Sequence, residues 1–117
     1  MSGTRAAPRV KDLPPEERPR ERLWARGPGA LSNADLIAIL IGSGSGRHRE
    51  SALELARRIL VHGRQRGLGG HAPGSGLDWL ASARPEDLCQ IPGIGLAKAA
   101  QLTAAVELGR RLAAARS

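Results

Sequence analysis

The stretch Ile91-Pro92-Gly93-Ile94-Gly95 joins two segments of helical composition, residues 85–90 and the residues from 96 onward. Pro92 prevents the first helix from continuing, because a proline biases the residue before it away from the α region. Gly93 and Gly95 can adopt positive φ and bring bare backbone close to a partner. Ile94 between them is apolar and should tuck under the turn. The stretch therefore predicts a tight turn that packs two helices against each other.

This turn leads directly into the amino end of the next helix. The unpaired N–H groups and the dipole of a helix both favour an anion at that end. Lys98 lies one turn inside the helix, where its ammonium group can reach the same anion. Gly93, Ile94, Gly95 and Lys98 are thus the predicted phosphate-binding residues. A glycine-containing turn can also be a purely structural corner between helices, and the sequence leaves that alternative open.

The residues around the turn resemble the helix-hairpin-helix motif of DNA-binding proteins that lack sequence specificity. The resemblance covers both helices and the turn, and it implies contact with the phosphate backbone of DNA. Some hairpins of this kind bind protein instead. Leu88, Ile91 and Leu102 match the hydrophobic positions of the motif, and Ala99 matches its small helix-contact position.

The composition favours a single all-α domain. The chain has 117 residues, a length typical of one domain. Trp24 and Trp79 are its only aromatic residues, so the core must be aliphatic, and we expect both rings to seal it. Abundant alanine, leucine and arginine favour helix, and no alternating apolar run predicts a strand. The expected fold is a compact helical bundle that contains the hairpin.

Positive charge is concentrated in one region. The formal charge is +7, from 18 basic and 11 acidic residues. Arginines are dense between residues 47 and 66, whereas acidic residues outnumber basic ones between residues 67 and 90. A positive surface raises the local concentration of polyanions, of which nucleic acid is the commonest. The charge favours a nucleic-acid partner, and an ordinary solvated surface is the alternative.

The order of predicted elements can be followed along the chain. Residues 1–14 should be a disordered basic arm, and residues 15–117 the helical domain. Ser32 and Asp35 form the pattern of a capping box, and the apolar run after them predicts a helix buried on most faces. The first helix is expected to begin at residues 14–17 and to end at Arg26, and it should carry Leu23 and Trp24 towards the core. The other helices are expected from Ser32 to residue 41, from Glu50 to Val61, around residues 77–80, from Pro85, and from Leu96 to about Ala114. A flexible glycine-rich loop is expected at residues 63–76.

A second glycine pair, in Gly42-Ser43-Gly44, invites comparison with the first. It too follows a helix with leucine and isoleucine near its end, and it precedes an amphipathic helix. One hypothesis is a degenerate first hairpin that pairs with the second by a pseudo-two-fold, with Arg47 and Arg49 as further phosphate contacts. The other is an ordinary helix stop at Gly42 followed by a loop. The sequence does not separate the two.

Five blocks of sequence carry a wider resemblance: residues 11–14 (KDLP), 17–23 (ERPRERL), 30–44 (ALSNADLIAILIGSG), 51–56 (SALELA) and the hairpin. Through these blocks, most of the chain resembles the N-terminal region of the RadC family of bacterial proteins. This resemblance implies a role in DNA repair and a C-terminal JAB/MPN domain whose zinc is held by His and Asp. Neither His48, His62 nor His71 has the H-x-H spacing of that site, so we expect the chain to be a domain or a truncated member.

Other classes of function have little support. Cys89 is a lone cysteine, which excludes a disulfide framework and a cysteine-based metal site. No apolar run has transmembrane length, so we expect a cytoplasmic protein without stable membrane contact. The glycine-rich residues 42–46 lack the ending of a P-loop, and no nucleophile has a plausible base. We expect no enzyme, cofactor or metal. The sequence predicts a DNA-binding module, with a protein-interaction module as the alternative.

Overall fold

The computed structural model describes residues 18–42, 52–66 and 75–116. All regular structure within these ranges is helical, which confirms the all-α prediction. The predicted arm at residues 1–14 and residues 67–74 of the predicted loop lie outside them. The elements are α1 (Pro19–Arg26), a 3-10 turn (Pro28–Ala30), α2 (Asn33–Ile41), α3 (Ala52–Gln65), α4 (Leu77–Leu80), α5 (Pro85–Leu88) and α6 (Leu96–Arg116).

The amino end of α2 is the joint between the first two helices. The Ser32 hydroxyl accepts a hydrogen bond from the Asp35 N–H (3.1 Å), and the Asp35 carboxylate accepts one from the Ser32 N–H (3.0 Å), so the predicted capping box forms. Arg22 of α1 donates to the same carboxylate. Burial opposes ionisation of Asp35, but the Ser32 hydrogen bonds and the Arg22 charge outweigh it and lower the pKa of that carboxyl.

One aliphatic core connects α2, α3, α4, α5 and α6. Helices α2 and α3 pack together, and α6 packs on both α2 and α5. This short helical array buries leucine, isoleucine and alanine side chains and no aromatic ring among the described residues, as the composition predicted. The buried members are Ile37, Ala38, Ile41, Leu55, Ala56, Ile59, Leu60, Leu80, Leu88, Ile91, Ile94, Ala99 and Leu102.

Helix α3 is longer than expected and continues to Gln65, into the start of the predicted loop. Gly63 is part of the helix and is buried, because a Cβ there would lie 2.5 Å from the Gly76 carbonyl oxygen. Gly76 has a φ of +95°, and a Cβ on it would lie 2.2 Å from the Leu60 carbonyl oxygen. The two glycines therefore let the chain entering α4 pack directly on the backbone of α3.

The two tryptophans take different places, and the prediction that Trp24 seals the core is wrong. Trp24 is 82% exposed. Arg22 is turned towards α2 by its bond to Asp35, and residues two apart lie on nearly opposite sides of a helix, which leaves Trp24 on the outer side of α1. Trp79 is half-buried and packs its ring edge-on against His62, with the ring centroids 5.0 Å apart.

Helix α2 is buried over most of its circumference, as its apolar run predicted. Ile37, Ala38 and Ile41 enter the core, whereas Leu36 and Leu40 are 37% and 44% exposed. In a domain of this size there is too little chain to cover every face of an apolar helix. Helices α1, α3 and α6 pack against α2 and leave to solvent the strip that carries Leu36 and Leu40.

Candidate phosphate-binding turn

The connection between α5 and α6 is a compact turn. The Ile91 N–H donates to the Leu88 carbonyl and the Ile94 N–H to the Ile91 carbonyl, each at 3.0 Å. Ile91 and Ile94 are 1% and 5% exposed, so both isoleucines anchor the turn in the core while Pro92 remains on the surface. These two hydrogen bonds, each between residues three positions apart, form the turn, and Ile94 lies under it as the pattern predicted.

Gly93 is required by the fold itself. Its φ is +97°, in the region that side chains rarely adopt. A Cβ on Gly93 would lie 2.6 Å from Leu55 Cδ1 and 3.3 Å from an Arg58 guanidinium nitrogen. The backbone of the turn therefore rests on α3, and any side chain at this position would push the two apart.

Gly95 differs from Gly93 in both respects. Its φ is not positive, so the expectation that both glycines use left-handed backbone holds for Gly93 alone. A Cβ on Gly95 would meet no atom within 4 Å, and the residue is exposed. Neither backbone strain nor packing requires a glycine here. The missing side chain instead leaves the amino end of α6 open to approach from outside.

That amino end presents unpaired backbone donors. The first hydrogen bond into α6 runs from the Ala99 N–H to the Gly95 carbonyl, at 3.0 Å. The N–H groups of Leu96, Ala97 and Lys98 precede it and have no acceptor within the helix. The Lys98 side chain is half-buried and joins no ion pair or hydrogen bond among the residues that the structure describes. Partial positive charge from the helix and the ammonium group thus occur at one end of α6.

Arg58 is a residue of this site that the sequence did not reveal. Its guanidinium, on α3, donates to the Pro92 carbonyl oxygen at 2.8 Å. In the amphipathic pattern of this helix, with Leu53, Ala56, Ile59 and Leu60 on the apolar side, Arg58 is expected to face solvent. Its spacing from Leu55 was the available signal, because residues three apart share a helix face, and both of these side chains contact the turn.

The second glycine pair is only partly described. Gly42 ends α2 with φ of −75°, so it does not form the left-handed stop of a helix. A Cβ on Gly42 would lie 3.2 Å from Ala52 Cβ, which places the end of α2 against the start of α3. Ser43, Gly44, Arg47 and Arg49 lie outside the described residues, and their predicted role stays a prediction.

Helix α6 contacts the end of α2 close to the turn. The Gln101 side-chain amide donates to the Leu40 carbonyl at 2.9 Å. Gln101 follows Gly95 by less than two helical turns. The carboxyl end of α2 therefore lies beside the first half of α6, near the amino end of α6.

Within residues 18–42, 52–66 and 75–116, no group of three or more His, Cys, Asp or Glu side chains is arranged to hold a metal ion. None of the helices in these ranges combines the length and apolar character that crossing a membrane requires.

Comparison with known proteins gives a consistent family match. Residues 10–100 match the family model described as UPF0758 N-terminal. The chain is 52% identical over 104 residues to a UPF0758 protein of Caldanaerobacter subterraneus, covering 89% of this chain and 39% of the relative. It is 54% identical over 105 residues to a UPF0758 protein of Moorella thermoacetica, covering 90% and 40%.

A UPF0758 protein of Picosynechococcus is 51% identical over 107 residues, covering 91% of this chain and 41% of the relative. The chain thus spans about two fifths of the length of the curated relatives it matches. No solved structure shows a significant match.

Proposed function

The chain belongs to the UPF0758 N-terminal family, and we propose that it binds duplex DNA through the turn between α5 and α6. Gly95 leaves the amino end of α6 open, and the N–H groups of residues 96–98 donate to a phosphate. Lys98 adds a full positive charge to the partial charge of the helix end. The contacts are to the DNA backbone, so the binding carries no base specificity.

The observation that carries this proposal is the contrast between Gly93 and Gly95. The fold accounts for Gly93, because its φ is +97° and its Cβ would clash with Leu55. Packing does not account for Gly95, where a Cβ would meet no atom within 4 Å. A glycine that packing does not need, beside unpaired N–H groups and Lys98, fits a surface that another molecule approaches closely. A phosphate matches that surface in size and charge.

The order of helices supports a wider footprint with two hairpins. Helices α2 and α3 form one consecutive pair, α5 and α6 form another, and the short α4 lies between them. In this proposal the connection after Gly42 contributes a second, less regular clamp with Ser43, Gly44, Arg47 and Arg49. Two clamps related by a pseudo-two-fold would follow the two strands of a duplex.

The wider role follows from the resemblance to RadC proteins. In this proposal the domain targets a longer cytoplasmic protein, with a separate JAB/MPN domain, to DNA during repair or recombination. The domain itself performs no catalytic step and needs no cofactor. Lys98 and the turn supply affinity, and any chemistry belongs to the other part of the protein.

The test measures binding of the chain to a labelled duplex of mixed sequence at two salt concentrations. Gly95→Val blocks the approach to the helix end, and Lys98→Glu reverses the local charge. We expect each variant to lower duplex affinity about tenfold or more, while circular dichroism stays that of the wild type. The wild-type affinity should fall steeply with salt, because phosphate contacts release counterions.

Two matched substitutions serve as controls. Arg111→Glu makes the same change of charge as Lys98→Glu at an exposed site in the second half of α6. Gly109→Val adds the same side chain as Gly95→Val where a Cβ also meets no atom within 4 Å. If these controls lose as much affinity as the turn variants, or if the wild type fails to bind at low salt, the turn is only a structural corner.

A protein-interaction module is the second candidate, and the outer half of α6 favours it. Leu108 and Leu112 are 67% and 63% exposed and lie four residues apart, on one side of the helix. In this reading that apolar side docks another protein or a separate JAB/MPN domain. Salt-dependent duplex binding would then be absent. Leu108→Glu would weaken association in trans with the remaining three fifths of a full-length relative.

A further inference from the structure

Arg58 reaches the turn from a different pair of helices. Its guanidinium donates to the Pro92 carbonyl oxygen at 2.8 Å, across 34 positions of sequence. The same guanidinium lies 3.3 Å from where a Cβ of Gly93 would be. We propose that Arg58 is a positioning residue that orients the Pro92–Gly93 peptide so that the Gly93 N–H faces the bound phosphate. This inference rests on the function proposed for the turn.

The geometry of a peptide bond gives the reason. In a trans peptide the C=O of one residue and the N–H of the next lie in one plane and point in opposite directions. The described residues contain no cis peptide bond. Because Arg58 holds the Pro92 carbonyl towards α3, the Gly93 N–H must point away from α3. That direction is the exposed side of the turn, where Pro92, Gly93 and Gly95 all lie.

The Gly93 N–H is available in that position. The backbone hydrogen bonds of the turn use the N–H groups of Ile91 and Ile94, and among the described residues the Gly93 N–H has no backbone acceptor. It therefore adds a donor at the exposed turn that precedes the N–H groups of residues 96–98 in α6. In this proposal the outward N–H groups of residues 93 and 96–98 together line an anion-binding concavity. Arg58 keeps that concavity formed before the ligand arrives.

The hydrogen bond also opposes rotation of the peptide. A peptide next to a glycine turns easily, because glycine adopts many backbone conformations. Leu55 packs against Gly93, and Arg58, on the same face of α3, bonds to the Pro92 carbonyl. Leu55 limits where Gly93 can lie, and Arg58 determines which way its N–H points. The α2–α3 pair thus sets the geometry of the hairpin that follows it.

The experiment compares Arg58→Lys with Arg111→Lys in the full chain. Arg58→Lys keeps the positive charge and removes the planar guanidinium that reaches Pro92. We expect it to lower affinity for a mixed-sequence duplex about tenfold, the effect of losing one charge-assisted hydrogen bond. The dependence of affinity on salt should keep the wild-type slope, because no phosphate contact is lost. Arg111→Lys, at an exposed site of α6, should bind like the wild type.

A second variant separates position from charge. Arg58→Gln removes the positive charge as well as the guanidinium that bonds to Pro92. If Arg58 acted only as a phosphate contact, Arg58→Lys would bind like the wild type and Arg58→Gln would lower the salt slope by about 0.9. That pair of results overturns the proposal. Circular dichroism and thermal unfolding of each variant confirm that the fold is kept.

A readout on the free protein distinguishes this inference from the function on which it rests. We expect Arg58→Lys to shift the amide resonance of Gly93 and to speed hydrogen exchange at the Ile94 N–H, which bonds to Ile91. If the wild type binds no duplex, the proposed function fails, and the Gly93 amide still reports on Arg58. An unchanged Gly93 resonance and unchanged Ile94 exchange mean that Arg58 does not position the turn, whatever the DNA result.

Discussion

Gly93 and Gly95 are separated by a single isoleucine, but the physical reasons for a glycine at the two positions differ. Gly93 has a positive φ and lies against Leu55, so the fold alone requires it. Gly95 has an ordinary backbone and open space where its side chain would be. The pattern G-x-G looks symmetric in sequence, but its two glycines differ in backbone conformation and in packing. A substitution at each position therefore separates stability from binding.

Gly93→Ala should destabilise the domain, and Gly95→Ala should not do so to the same extent. Alanine at position 93 must adopt a left-handed backbone and displace Leu55, which we expect to cost about 1–3 kcal/mol of unfolding free energy. Alanine at position 95 loses only a favourable helix-cap residue, about 1 kcal/mol or less. Urea unfolding of both variants beside the wild type measures the difference. Equal losses would contradict the assignment of Gly93 to the fold.

At the scale of the element, α1 is held to α2 by a charge and not by a core side chain. Helix α1 buries no residue among those described. Arg22 bonds to Asp35, whose carboxylate also closes the capping box of α2. One carboxylate therefore serves both the start of a helix and the attachment of its neighbour. Both contributions depend on Asp35 being ionised.

Stability should consequently decline in acid through Asp35. The pKa of Asp35 is lower in the folded protein than its ordinary value of 3.8. Its contribution is present above pH 3.8 and is lost as the pH falls through the lower, folded-state pKa, where the carboxylate takes up a proton. We expect Asp35→Asn to unfold at a lower temperature at pH 7 and to show a smaller further decline below pH 3.8.

Thermal unfolding from about pH 7 to about pH 2.5 measures this difference, because the range begins well above the ordinary pKa of an aspartate and ends about one unit below it. Ser32→Ala is the companion variant, because it removes a hydrogen bond that favours the ionised carboxylate. Its acid decline should lie between those of the wild type and Asp35→Asn. An identical acid decline in the wild type and Asp35→Asn would show that this carboxylate does not contribute.

At the scale of the whole molecule, one small core supports both pairs of helices. Leu102 is 2% exposed, and the first half of α6 reaches α2 and α5 together. The second half of the same helix carries Leu108 and Leu112 on the surface. Helix α6 is thus a core element over part of its 21 residues and a solvated helix over the rest.

Truncation of leucines along α6 should follow this division. Leu102→Ala removes buried methyl groups from the centre of the core and should cost about 2–5 kcal/mol. Leu112→Ala changes only solvent-exposed surface and should alter stability by no more than about 0.5 kcal/mol. Both can be measured by urea unfolding. A large loss from Leu112→Ala in the isolated chain would mean that the outer half of α6 is packed in solution.

Much of the fold could be predicted from local patterns. Ser32 and Asp35 three residues apart indicate a helix start that the structure contains, and Pro92 with its glycines indicates the turn. These predictions succeed because capping and turn formation depend on neighbours in the chain. The place of Trp24 was mispredicted, because an apolar residue does not reveal which face its neighbours will cover.

The amino-acid sequence alone determined the all-α class, the turn before α6 and the position of Lys98 one turn inside that helix, because each depends on backbone preferences over a few residues. Tertiary structure alone decided that Arg58 holds the Pro92 carbonyl, that Gly93 rests on Leu55 and that Gly95 remains open. These facts depend on how α3 lies against a turn distant from it in sequence. No local pattern encodes that approach, since it arises when separate helices bury one common core.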